Sequence, residues 1–139
     1  APMAAALMCS GVSKSGSPAP RPIMSLPCAL SAAAKAAFDE GVNNLALIYI
    51  PSIFLAELHF LNVKSNYPID FTDEYKKLEA GGQFVFTSFE PQDVLDFDAD
   101  SAVREMHDRI VVGTARRLNA ACITKDESIT ESGLVKIIW

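Results

Sequence analysis

The chain has 139 residues, half of them apolar and 21% charged, with a formal charge of −5. That length suits one domain, and that composition excludes a disordered, collagen-like or coiled-coil protein. The acid excess argues against binding nucleic acid by bulk charge, although local basic patches stay open. Cys9, Cys28 and Cys122 are odd in number and far apart. No disulfide framework or zinc knuckle is therefore expected, and a reducing cytoplasm is the expected compartment. No run reaches the roughly 18 apolar residues of a membrane span. The start lacks the basic residues of a secretory signal.

Residues 1–29 carry Lys14 and Arg21 but no acid, together with five of the eight prolines. A first strand at residues 4–8 followed by a Pro/Ser-rich arm is the expectation there. Residues 30–139 read as the packed domain. Ser31 is placed to cap a helix running to about Glu40, ended by Gly41 and the turn Asn43-Asn44. Residues 45–50 form an apolar run that suits a strand buried on both faces. Pro51-Ser52 opens a helix through Ile53, Phe54, Leu58 and Leu61, and residues 72–80 read as a short charged helix closed by Gly81-Gly82. Residues 84–88 (FVFTS) are a second domain strand. Residues 90–97 read as a short helix with Val94 and Phe97 inward, and residues 107–118 as a clear helix. A strand at 121–124, a turn or short helix at 125–132 and a last strand at 134–139 complete the order. Strands and helices alternate with short connections, which predicts an α/β fold with a mostly parallel sheet between helices.

Sites in open parallel sheets form beyond the carboxyl ends of the strands. Three acids fall at such positions. Glu57 lies early in the helix after residues 45–50, Asp126 follows residues 121–124, and Asp108 begins the helix leading into that strand. No serine triad, dinucleotide fingerprint, phosphate loop or zincin helix accompanies them. What remains is a carboxylate set, the donor type that suits Mg²⁺ or Mn²⁺. Each acid also has an ordinary reading. Glu57 is equally a solvent-facing helical residue, although Phe54, Leu58 and Leu61 share its stripe. Asp108 complements a helix dipole, and Asp126 caps a turn.

The block Glu105-Met106-His107-Asp108-Arg109-Ile110-Val111-Val112-Gly113-Thr114-Ala115, then Ile123-Thr124-Lys125-Asp126 and the closing residues 131–139 ending in Trp139, resembles the C-terminal half of a PIN domain. More narrowly, it resembles the VapC-like ribonuclease toxins of prokaryotic toxin–antitoxin pairs. Residues 30–38 resemble the second helix of that family. Ile48-Tyr49-Ile50-Pro51-Ser52 with Ala56-Glu57-Leu58 resembles its strand and acid-bearing helix. The resemblance implies a three-layer α/β/α sandwich and endonucleolytic hydrolysis of RNA with Mg²⁺ or Mn²⁺. By position, Glu57, Asp108 and Asp126 would be the metal-holding acids, activating a water for in-line attack on phosphorus. Thr124 would supply a hydroxyl to a water ligand. Arg109 and Lys125 would orient a carboxylate or touch phosphate, with surface roles as their alternative. His107 beside Asp108 suggests a general base that the chemistry does not require. The implied partners are an RNA substrate, a cognate antitoxin and a second copy of the chain, with no membrane.

The departure lies at the front. The family pattern opens with a strand ending in Asp, usually a principal metal ligand, whereas the first acid here is Asp39. Cys9-Ser10 stands where Asp-Ser or Asp-Thr would be expected. Three readings compete: the acid is lost, it was substituted to tame a toxic enzyme, or residues 1–29 are out of frame. A PIN-fold binding module without full catalytic power is therefore the second functional reading. Lys76-Lys77 and Arg116-Arg117 are candidate RNA patches, with solvated helix faces as the alternative. Phe54, Phe60 and Leu61 are candidates for a dimer or antitoxin surface, with core packing as theirs. A phosphatase-like enzyme using an Asp nucleophile lacks a fitting motif after the first strand.

Overall fold

The computed structural model describes residues 3–7 and 30–139. Cys9-Ser10 and the Pro-rich stretch lie outside the described residues. The sheet comprises β1 (Met3–Leu7), β2 (Ala46–Pro51), β3 (Phe84–Thr87), β4 (Ala121–Ile123) and β5 (Ile137–Ile138). Its order is β3-β2-β1-β4-β5, with every neighbouring pair parallel. β1 is thus the central strand, with Ala6 opposite Tyr49 and Leu7 opposite Ile123. The helices are α1 (Ala32–Val42), α2 (Ser52–Lys64), α3 (Phe71–Ala80), α4 (Pro91–Leu95), α5 (Met106–Arg117) and α6 (Glu127–Ser132). The α/β expectation with a parallel sheet holds.

Alternating side chains of the strands feed two apolar clusters, as a period of two requires. Ile48, Ile50 and Ile123 join Phe38 of α1, Phe54 and Leu58 of α2 and Leu78 of α3. Tyr49 and Cys122 join Val111, Val112 and Ala115 of α5 and Ile129 of α6. Burial of such side chains, each worth about 1.5–3 kcal/mol, fixes which way β2 and β4 face. Among the described residues, no helix is long and apolar enough to cross a membrane.

Local chemistry explains most element ends. The Ser31 hydroxyl accepts the Ala34 N–H at 3.1 Å, and the Asp70 carboxylate accepts the Asp73 N–H at 3.0 Å, capping α1 and α3. Gly41 departs from its expected role as a helix stop. It sits inside α1, where a Cβ would come within 2.6 Å of Ile48 Cγ1. The missing side chain lets α1 lie against β2, and Asn44, at φ 58°, makes the turn.

Three other expectations change. Residues 45–50 are not buried on both faces, because Leu47 is 36% exposed beside fully buried Ile48. Val94 points outward from α4 at 49% exposure, and Asp93 points inward instead. The reason is polar: Asp93 accepts the Glu90 N–H at 2.8 Å in a capping box and faces Arg117 at 3.4 Å. The last strand shrinks to two residues because it pairs only with Cys122 and Ile123 of a three-residue β4.

Candidate functional site

The topology brings three helix starts to one edge. In a parallel sheet the crossover helices run against the strands, so their N-termini collect at the carboxyl ends. α2 follows β2 directly and carries Glu57 in its second turn. α6 follows β4 and is capped by Asp126. α5 returns toward the start of β4, so its first turn, with Asp108, opens at the same rim. The chain leaves β1 for one side of the sheet and β4 for the other. The rim above these two strands is therefore the switch point where α/β folds bind ligands.

The three acids feel one another there. The half-buried Asp108 carboxyl is pushed up to about 6, first by burial and then by the negative charges of Asp126, Glu57 and Glu105. His107 opposes the shift. Like charges gathered in a partly desolvated place resist ionisation, which is how anionic cation sites behave before the cation arrives. Beneath the rim, the buried Cys122 thiol is raised to about 12 by burial and by Asp108, so it stays protonated.

Two of the three acids are also held by a neighbour. His107 Nδ1 lies 3.0 Å from Glu57 Oε1, bridging α5 and α2. Asp126 Oδ1 accepts the Ile129 N–H at 3.0 Å, so the capping reading of Asp126 is correct as far as that oxygen goes. The fully buried Thr124 accepts the Asp126 N–H at 3.0 Å through its hydroxyl, fixing the approach to the cap. Among the described residues, no three His, Cys, Asp or Glu side chains are grouped closely enough to enclose a metal by themselves. The donor set is nonetheless all oxygen and mutually repelling, which fits a hard cation in chemistry, while the three acids stand too far apart here to enclose one.

The basic residues fall elsewhere. Arg109 donates from Nε to the Val103 carbonyl and from Nη1 to the Phe97 carbonyl at 3.2 Å, so it ties down the α4–α5 connection. Arg116 and Arg117 lie on an exposed helix face, but each is engaged with an acid rather than open to phosphate. Arg116 forms a two-point ion pair with the fully buried Asp100, and Arg117 faces Asp93. Lys77 is taken up by Asp73 at 2.8 Å and Glu74 at 2.9 Å within α3. Lys125 is exposed and lines a cleft of about 440 Å³ with Thr124, Glu127, Thr130, Glu131, Ile137 and Trp139. Sequence reasoning placed Phe54, Phe60 and Leu61 together, but Phe54 is core while Phe60 is 68% exposed. It missed the His107–Glu57 contact and the buried acids Asp93 and Asp100. Only the arginines four and three residues beyond Gly113 hinted at partners.

No family model matches the sequence. No curated protein matches it either. Among solved structures, the fold is similar to a chain in the crystal structure of VapBC2 from Rickettsia felis bound to a DNA fragment from their promoter. The two share 15% identity at a TM-score of 0.56, over 77% of this chain and 84% of that one. At that identity the likeness is one of fold.

Proposed function

We propose that the chain is a PIN-fold, VapC-like endoribonuclease that hydrolyses RNA phosphodiester bonds and serves as the toxin of a toxin–antitoxin pair. The observation that carries this reading is the raised Asp108 carboxyl, repelled by Asp126 and Glu57 at the switch-point rim. The fold likeness to a VapBC2 chain supports it. Glu57, Asp108 and Asp126 would hold Mg²⁺ or Mn²⁺ with at least one further ligand. When bound, that ion would supply Lewis-acid activation of water and stabilisation of phosphate charge.

The chain's own groups prepare the rim for that role. Asp108 gives up its proton only near pH 6, so occupancy by a cation and deprotonation are linked. His107 keeps the Glu57 carboxylate turned toward α5 rather than into solvent. Thr124 and the α6 cap fix Asp126 at the end of β4. Lys125, beside Asp126, is the cation positioned to meet substrate phosphate. The exposed apolar residues of α2, Phe60 and Val63, suit an antitoxin or a second copy.

The second reading, an impaired PIN-fold binding module, draws on the absence of any acid before Asp39. One assay separates the two. Purified protein should cleave RNA with Mn²⁺, stop with EDTA, and lose activity in Asp108→Asn. Absence of cleavage from folded protein at millimolar Mn²⁺ would sink the nuclease reading and leave the binding module.

A further inference from the structure

We infer that the cleft between α6 and the end of β5 is a nucleobase subsite that prefers guanine, placed next to the acid rim. This rests on the RNA reading of that rim and adds which part of the substrate the neighbouring surface reads. The cleft has about 440 Å³, and its lining joins one indole, one ammonium, two carboxylates and two hydroxyls. Its surface is mainly apolar, with these charged and hydroxyl groups set into it, which is more varied than a solvated helix face.

Each component has a matching part of a nucleotide. Trp139 is 36% exposed and lines the cleft with Ile137, giving a base an aromatic surface on which to stack. Lys125 lies at the rim side, one residue before Asp126, and is the cation in the lining. A phosphate is drawn there and repelled by Glu127 and Glu131, which fixes the direction of the nucleotide. Glu127 and Glu131 stand four residues apart in α6, on one face and roughly 6 Å apart along the axis. Ionised carboxylates only accept hydrogen bonds. They suit a base edge with adjacent N–H donors, and guanine presents its ring N–H beside its exocyclic amine. Uracil sets a single N–H between two carbonyl oxygens, which the carboxylates repel. The Thr130 hydroxyl already donates to the Asp126 carbonyl at 2.8 Å, so it can only accept from a base.

Trp139 is the single tryptophan of the chain, so its fluorescence reports on this cleft alone. The experiment titrates the full chain in EDTA with guanosine 5′-monophosphate and, separately, uridine 5′-monophosphate. Saturable quenching by the guanosine nucleotide at lower concentration than the uridine nucleotide is expected. Lys125→Ala should weaken both, and the double variant Glu127→Gln, Glu131→Gln should erase the preference. Trp139→Ala, followed by calorimetry, should lose roughly 5- to 150-fold in affinity, the span of a lost base stack. Quenching that does not saturate, or that is equal for both nucleotides and unmoved by the glutamine double variant, would overturn the subsite. The assay contains no metal and breaks no bond. Nucleotide binding without RNA cleavage therefore counts against the nuclease reading, and cleavage without nucleotide binding counts against the cleft.

Discussion

His107 Nδ1 and Glu57 Oε1 lie 3.0 Å apart, and that contact joins the first turn of α5 to the second turn of α2. Fifty residues separate the two in sequence. Both side chains are partly exposed, 49% and 32%, so the pair contributes little to stability, about 0–1 kcal/mol. Its effect lies in orientation, because a Glu side chain without a partner samples several rotamers at the rim. His107→Ala should therefore leave the unfolding midpoint nearly unchanged while lowering Mn²⁺ affinity on the order of 10-fold, as loss of a partner to a metal-holding side chain does. Calorimetric Mn²⁺ titration beside a thermal melt checks this. Unchanged Mn²⁺ affinity would show that Glu57 needs no such anchor.

Asp108 makes the rim costly to fold at neutral pH. Its folded-state value, about 6, is raised above the ordinary 3.8. Between those values the folded chain keeps a proton that the unfolded chain has released. Stability therefore falls as pH rises through that window and stays lower above it. Asp108→Asn removes the penalty. At pH 7 it should stabilise the fold by about 1 kcal/mol after allowance for solvent screening of a half-exposed carboxyl, or roughly 3–5 °C. The gain should vanish by about pH 4, where the carboxyl is protonated in both states. Melting curves of both proteins across this range test it, and a less stable Asp108→Asn at pH 7 contradicts it. Stability gained as cleavage is lost is the expected mark of a functional residue.

Arg116 answers to a different measurement. Its guanidinium meets the fully buried Asp100 at two points, and Arg116→Ala would leave that carboxylate without its partner. The expected cost is about 3–5 kcal/mol in denaturant unfolding, most of it recovered by Asp100→Asn in the same chain. If the variant instead kept its stability and lost RNA affinity, Arg116 would be a phosphate contact after all.

The position two residues beyond β1 offers a gain-of-function test. By the resemblance, Cys9 would stand where that family carries its first-strand acid. Cys9→Asp should raise Mn²⁺ affinity and RNA cleavage together, since one more carboxylate adds charge and a ligand to an oxygen site. No change in either would place the missing ligand elsewhere in the chain.

Much of the architecture was legible because its signals are local. Ser31 caps the helix it was placed to cap, and the apolar runs at β2, β3 and β4 became parallel strands. The three acids were legible through strand ends, since a parallel sheet forces helix starts to one rim, and through the family resemblance of the segments that carry them. Contacts set by tertiary packing were hidden. Asp93 turned inward in place of Val94 because a capping box and Arg117 outweigh the apolar preference of one valine. Gly41 read as a stop, but its use is the close approach of α1 to Ile48. His107 was noticed for its place beside Asp108, whereas its partner is Glu57, on another helix.

The most direct measurement is a carboxyl NMR titration of Asp108 in the intact chain, without and with Mg²⁺. Convergence of Glu57, Asp108 and Asp126 on one cation predicts a midpoint near 6 without metal. Saturating Mg²⁺ should then bring the midpoint down to or below the ordinary carboxylate value of about 4. A midpoint that Mg²⁺ and Mn²⁺ leave in place would contradict a metal centre at this rim.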